Sequence, residues 1–411
     1  MTAVLAPATD VSTAGAAPPS TSSPAGAAPR AAEISTGALD RLVQRLRTDG
    51  KAVAVTAELR RGARTWTFDA GRARRAPART VQPGSSFRAA SVTKQLVAVL
   101  ALQLVEKGTW TLDTTIGDVD PSLWPGREAI TVRQLLSHTS GMPDHLGAVV
   151  AEATTGRKFV RAISRRSTDQ EIIALGRRLP WAAEPGTFSY SNTGYVVVGQ
   201  MLERATGTSV RRLVERRILR PVGMTDSAFA VSTSSPRPGL HEYARWPGRT
   251  LDLRSFEPSL FSSAGALVST ARDLNEFRRA LEAGDLIGKR WVRVMQHPLT
   301  DQGYGLGSYR LPSPCSSGPR WVHGHDGGSF GTLTFSVGLG GNRQLTIAMT
   351  GRGYTEDTIT SQSRLLQTFA YTALAATCAD DGKDRREDRR PGGAPEWPQL
   401  LDVVAARTPA T

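Results

Sequence analysis

The segment Leu96-Val-Ala-Val-Leu-Ala-Leu102 is apolar at every position. A helix with no polar face must be enclosed on all sides. Glu106, Lys107 and Gly108 then supply a wet end and a glycine stop. A chain of 411 residues is long enough to build the core that such a helix requires. At the other end of the helix stand Ser91 and Lys94. Residues three apart share a helical face, so a hydroxyl and an amine meet at the mouth of a buried helix. Desolvation disfavours a charged ammonium, and a neutral amine beside a hydroxyl is a base beside a nucleophile. Ser-x-x-Lys is a weak motif alone, and a capping serine with a solvated lysine is its bland reading. Lysine is scarce here, however, and the pattern occurs once.

Two downstream stretches are candidate partners. In Tyr190-Ser191-Asn192, residues two apart on an extended segment face the same way. A phenol can act as a general base toward a hydroxyl, and an amide can hold a lysine and a substrate carbonyl. The alternative is a turn tyrosine followed by an Asx-turn. In His325-Asp326-Gly327-Gly328, glycines on a strand allow close approach of a substrate backbone. Their N–H groups can face a developing oxyanion. His323, His325 and Asp326 also admit a zinc reading, but a third histidine at suitable spacing is missing nearby. No metal and no cofactor is expected.

Alternating segments at 52–59, 65–69 and 85–88 read as strands, as do 320–324, 331–337 and 343–349. Helices are expected over 34–46, 131–136, 193–205, 270–281 and 355–377. Strands lie at both ends and helices between. This pattern suggests one α/β unit, about 35–120 and 290–379, with a helical part inserted at about 121–289. Residues 1–34, rich in Ala, Pro, Ser, Thr and Gly, cannot bury a core and are expected to be disordered. They lack the basic start and apolar run of a signal peptide. Residues 380–411 read as a charged, proline-containing tail. No apolar run is long enough for a transmembrane helix.

The net charge of +14 is carried mostly by arginine, in part by Arg60, Arg61, Arg64, Arg72, Arg74, Arg75 and Arg79. Without a nucleic-acid motif or interleaved aromatic residues, this reads as a solvated hairpin and no nucleic-acid partner is expected. Cys315 and Cys378 flank the late strands and the last helix. A bond between them would pin that helix to the sheet and imply an oxidising compartment; two unpaired buried thiols are the alternative.

The three motifs in this order resemble the penicillin-recognising serine hydrolases, specifically the class C β-lactamase-like group. The resemblance covers Ile34 to Ala379. Leu135–Gly141, Pro221–Asp226, Ser263–Leu274 and Tyr304–Gly307 support it and are expected to build scaffold, with neither His138 nor Asp273 catalytic. It implies a β-lactamase/transpeptidase-like fold: a five-stranded antiparallel sheet flanked by helices, plus an inserted all-helical domain. It implies attack by Ser91, activated by Lys94 and Tyr190, with Asn192 and His325 in the catalytic group. Asp326, Gly327 and Gly328 would line the substrate and oxyanion side, the hole being formed by the N–H groups of Ser91 and Gly328.

Histidine rather than lysine at 325 resembles carboxypeptidases and esterases more than lactamases. The cysteine pair resembles a disulfide of secreted carboxypeptidases. The expected protein is a secreted monomer acting as a D-alanyl-D-alanine carboxypeptidase on peptidoglycan peptides and inhibited by β-lactams. One departure stands out, because carboxypeptidases of this group carry Thr or Ser where this chain has Asp326. A carboxylate there would repel a substrate carboxylate unless Arg310 compensates. Otherwise small neutral esters, amides or substrates with a free amine are favoured, which makes an esterase or D-amino-acid amidase the alternative. A class C-like β-lactamase and a non-catalytic wall-binding scaffold are the remaining readings.

Overall fold

The computed structural model describes residues 34–378 except 152, 234–237 and 341. The two terminal tails named above lie outside the described residues, apart from Ile34.

Helix α1 (Gly37–Thr48) buries Leu39, Leu42, Val43 and Leu46, the apolar stripe its spacing prescribes. Strands β1 (Ala54–Arg61) and β2 (Arg64–Arg74) form a hairpin in continuous register from Ala54↔Gly71 to Arg61↔Arg64. A two-residue strand β3 (Arg79–Thr80) edges β2. Helix α2 is Thr93–Glu106, α3 is Asn192–Thr206 and α4 is Ala271–Ala283. Strands β4 (Tyr309–Pro312), β5 (Trp321–Gly328), β6 (Thr332–Gly338) and β7 (Arg343–Thr350) follow, and helix α5 (Glu356–Ala375) comes after them.

The main sheet runs β3-β2-β1-β7-β6-β5-β4, and every neighbouring pair is antiparallel. It has seven strands, not five. The two extra strands are the edges β3 and β4, too short and too rich in Arg and Pro to show an alternating pattern. One face packs Val55, Leu59, Phe335 and Ile347 against α1 and α5 in an apolar core. The opposite face carries hydroxyls that reach α4: Thr346 Oγ1 donates to Asn275 Oδ1 at 2.9 Å, and Asn275 Nδ2 donates to the Glu58 carbonyl at 3.0 Å. A second core surrounds α2 and includes Leu96, Val97, Leu100, Val197 and Leu274. Leu96 to Leu102 are fully buried, as an all-apolar helix demands.

The middle of the chain is not all-helical. Phe87–Arg88, Leu267–Ser269 and Ala228–Phe229 form a small antiparallel sheet, and a hairpin of Tyr243–Trp246 and Arg249–Asp252 pairs with Arg352–Gly353. These strands have two to four residues. At that length, pairing with distant partners decides the strand and local periodicity does not. Cys315 and Cys378 are joined, with Cα atoms 5.4 Å apart, so the end of α5 is tied to the loop before β5. Among the described residues no helix is long and apolar enough to cross a membrane.

Candidate active site

Ser91 sits in a short 3-10 turn, Ala90–Val92, directly before α2, with Ala90 at φ +48°. A positive φ is uncommon outside glycine, and three contacts hold the turn. The Ala89 N–H donates to the Leu267 carbonyl at 2.9 Å. Thr93 Oγ1 donates to the Ala90 carbonyl at 2.6 Å and accepts from the Leu267 N–H at 3.1 Å. The third contact is β5 itself. A Cβ on Gly327 would lie 2.3 Å from the Ala89 carbonyl oxygen, so only glycine lets the strand approach the nucleophile turn this closely.

That contact makes a prediction. Gly327→Ala should push β5 away from the turn and lower kcat/KM by about 10²-fold, the scale of an ångström of misplacement at a reacting centre. The melting temperature should also fall. Steady-state kinetics beside thermal melting checks this, and a wild-type rate would show that β5 does not position Ser91.

Lys94 is fully buried, and its Nζ has three partners: Ser91 Oγ at 3.0 Å, Asn192 Oδ1 at 2.8 Å and the Ala264 carbonyl at 2.9 Å. Burial pushes its pKa down to about 7, against the opposing pull of the Asp144 and Asp326 carboxylates. A neutral amine has two hydrogens and one lone pair. Asn192 and Ala264 offer only acceptors, so they take the two hydrogens. The lone pair is left for the Ser91 hydroxyl.

Asn192 opens α3, with Ser191 as its cap in extended geometry. Its amide nitrogen donates to Asp144 Oδ2 at 3.1 Å, which fixes the amide orientation and presents Oδ1 to Lys94. The Tyr190 phenol lies near the Ser91 hydroxyl, which favours its ionised form, and Lys94 Nζ lies 4.9 Å from the centre of its ring. Burial raises the Tyr190 pKa well above that of a free phenol, with Tyr309 and Asp326 adding to the shift and the Ser91 hydroxyl opposing it. The two candidate proton carriers are therefore shifted in opposite directions.

His325 is buried behind Tyr190, with ring centres 6.5 Å apart. Its Nε2 pairs with Tyr304 Oη at 3.0 Å, and its Nδ1 pairs with the Asp326 carbonyl. The Asp326 carbonyl can only accept, so His325 Nδ1–H donates to it. Asp326 is 7% exposed, and its carboxylate acts on both Lys94 and Tyr190. Gly327 and Gly328 complete the strand beside Ser91. The structure thus joins Ser91, Lys94 and Asn192 in one hydrogen-bonded group with the Tyr190 ring packed over Lys94, and His325 packs against that ring.

Arg310 does not offset Asp326. Its guanidinium stacks 4.0 Å from the centre of the Trp321 ring, at the opposite end of β5 from Asp326.

Sequence reasoning missed Asp144, the Ala264 carbonyl and the Tyr304 bond to His325. Asp144 looks only like a helix cap, and it does accept the Leu146 N–H at 3.1 Å. His138, assigned to scaffold, packs its ring 4.0 Å from that of Tyr190 and accepts the Ser191 N–H at 3.1 Å. Asp273 accepts the Asp226 N–H at 2.9 Å and the Ser227 hydroxyl, so it ties a loop to α4.

A sequence model of the Beta-lactamase family matches residues 39–356. PbpX of Bacillus subtilis, by name a penicillin-binding protein, is 27% identical over 236 residues, 57% of this chain and 56% of its own length. Esterase EstB of Burkholderia gladioli is 30% identical over 258 residues, 56% of this chain and 64% of its own. The chain spans less than two thirds of the length of these curated relatives. A D-stereospecific amidohydrolase from Streptomyces sp. has a similar crystal structure, with TM-score 0.69 and 26% identity, covering 80% of this chain and 98% of that one.

Proposed function

The chain belongs to the beta-lactamase family, among the penicillin-recognising serine hydrolases, and from that premise we propose an acyl-serine hydrolase of D-amino-acid amides, short peptides or esters whose leaving part carries no carboxylate. The observation that carries this reading is Asp326, a nearly buried carboxylate beside Lys94 with Arg310 held away on Trp321. A second carboxylate placed about 4 Å from it would cost about 4 kcal/mol at an effective dielectric of about 20. The amidohydrolase likeness and the esterase relative support the same substrate class.

In the proposed mechanism, neutral Lys94 takes the Ser91 proton as Oγ attacks the carbonyl carbon. The N–H groups of Ser91 and Gly328 receive the oxyanion. Tyr190, held protonated, gives its proton to the leaving amine or alcohol as the bond breaks and is restored from the Lys94 ammonium. Asn192, locked by Asp144, keeps the amine aimed. Water then enters and the same groups release the acid. His325 positions Tyr190 from behind. The disulfide supports an extracytoplasmic location.

D-alanyl-D-alanine carboxypeptidase activity on peptidoglycan peptides is the second reading, favoured by histidine at 325 and by the penicillin-binding relative. Two measurements separate the readings. Benzylpenicillin carries a carboxylate on its leaving side, so intact mass should show little or no adduct on the wild type; a stable adduct on the wild type and none on Ser91→Ala would favour the carboxypeptidase. Rates on a D-amino-acid amide and on a peptide ending in D-Ala-D-Ala should favour the amide. Asp326→Thr should shift the ratio at least tenfold toward the peptide. Faster D-alanine release than amide cleavage by the wild type would overturn the Asp326 argument and leave the carboxypeptidase.

A further inference from the structure

Away from the nucleophile, a cavity of about 880 Å³ opens among the helices His145–Val150, Gly156–Ile163 and Asp169–Arg177. None of Ser91, Lys94, Tyr190, Asn192, His325 or Asp326 lines it. Among the described residues its rim carries Lys158, Arg161, Arg165 and Arg178 against one lining carboxylate, Glu171. That carboxylate lies 3.9 Å from Arg165 and is committed to its helix cap, where it accepts the Thr168 N–H at 2.7 Å and the Thr168 hydroxyl at 3.2 Å. Lys158 Nζ donates to the Thr154 hydroxyl at 3.4 Å, with no acidic partner among the described residues. Among the described residues Arg161 and Arg178 have no acidic partner within ion-pair distance, and both are exposed. Four cations around one opening repel one another, and an anion between them relieves that repulsion. Arginine forks suit carboxylate and phosphate oxygens.

Below the rim the wall changes character. Val149, Ile172, Leu175 and Leu260 line it with hydrocarbon. His145 closes the floor, fully buried, its Nε2 paired with the Leu260 carbonyl at 2.8 Å and its Nδ1 with Thr193 Oγ1 at 3.1 Å. Both ring nitrogens are spoken for, so the floor is rigid and offers no further polar group of its own. A cationic rim over an apolar floor selects for a molecule with both features.

We propose that this cavity binds an anionic amphiphile, with a phosphate or carboxylate head on the arginine rim and an apolar body against Val149, Ile172, Leu175 and Leu260. The size fits one drug-sized or single-chain molecule.

The test is calorimetric titration of the full chain with n-octyl, n-decyl and n-dodecyl phosphate below their micelle concentrations, beside inorganic phosphate and neutral dodecyl maltoside. One alkyl phosphate should bind per chain. Affinity should rise by up to about fourfold per methylene while apolar wall remains, and it should fall at 1 M salt, where screening acts over about 3 Å. The double variant Arg161→Glu/Arg178→Glu, changed only at exposed positions, should bind at least tenfold more weakly with an unaltered melting temperature. Unchanged affinity in that variant would place the ligand elsewhere and overturn the assignment. Inorganic phosphate or the maltoside binding as tightly as dodecyl phosphate would overturn it too, as would no binding of any alkyl phosphate.

Discussion

Lys94→Met is expected to slow acylation of Ser91 by about 10³-fold, within the usual range for loss of a positioned general base. Methionine keeps the length and apolar stem but has no lone pair aimed at the Ser91 hydroxyl. In the wild type, acylation should rise as pH climbs through about 7, because Lys94 must be neutral to accept the proton and its pKa is held at about 7 by burial. The rising limb should vanish in the variant. Stability should respond in the same sense. The folded state holds Lys94 below its ordinary pKa, so between about pH 7 and 10 the unfolded chain binds more protons than the folded one, and wild-type stability from this group grows with pH. Any stability advantage of Lys94→Met should therefore be greatest at or below pH 7 and shrink toward pH 9. Stopped-flow ester acylation and thermal melting at matched pH values check both halves. A wild-type rate in Lys94→Met would assign the proton to another group.

Removing the cross-link, as Cys315→Ser/Cys378→Ser, should cost about 4 kcal/mol in the chain-entropy account of a loop this long. The bond spans a sequence separation of 63 residues. For a domain of this size that corresponds to a melting temperature lower by about 6 °C. Acylation at room temperature should stay within about twofold, since neither cysteine touches the hydrogen-bonded group around Ser91. Scanning calorimetry of the variant, and of the wild type with and without reductant, measures the effect. An unchanged melting temperature would mean that the α5 end is held by packing of Phe369, Ala373 and Leu374 alone.

Several elements were readable because their patterns are local. The apolar run of α2, the stripe of α1, the alternation of β6 and β7 and the glycines of β5 each depend on neighbours within a few residues. The same holds for Ser91 and Lys94, which one helical turn brings together. Tyr190 and Asn192 were legible as a pair, although Asn192 belongs to a helix and not to the extended segment expected for it. The strands of the middle segment escaped notice because two to four residues carry no period. Asp144 escaped because its partner Asn192 lies 48 residues away. Arg310 could be counted as a charge, but its stacking on Trp321 has no local signature.

The amino-acid sequence by itself determined that a helix must be buried, that a hydroxyl and an amine stand at its mouth, and which side chains could join them. Only the tertiary structure decided what those groups can do. Enclosure strips water from Lys94 and lowers its pKa, and the same enclosure raises that of Tyr190. Acceptors 98 and 170 residues away occupy the two amine hydrogens and leave the lone pair on Ser91. Protonation state depends on the dielectric and charges around a group, and those are set by parts of the chain that meet only when it folds.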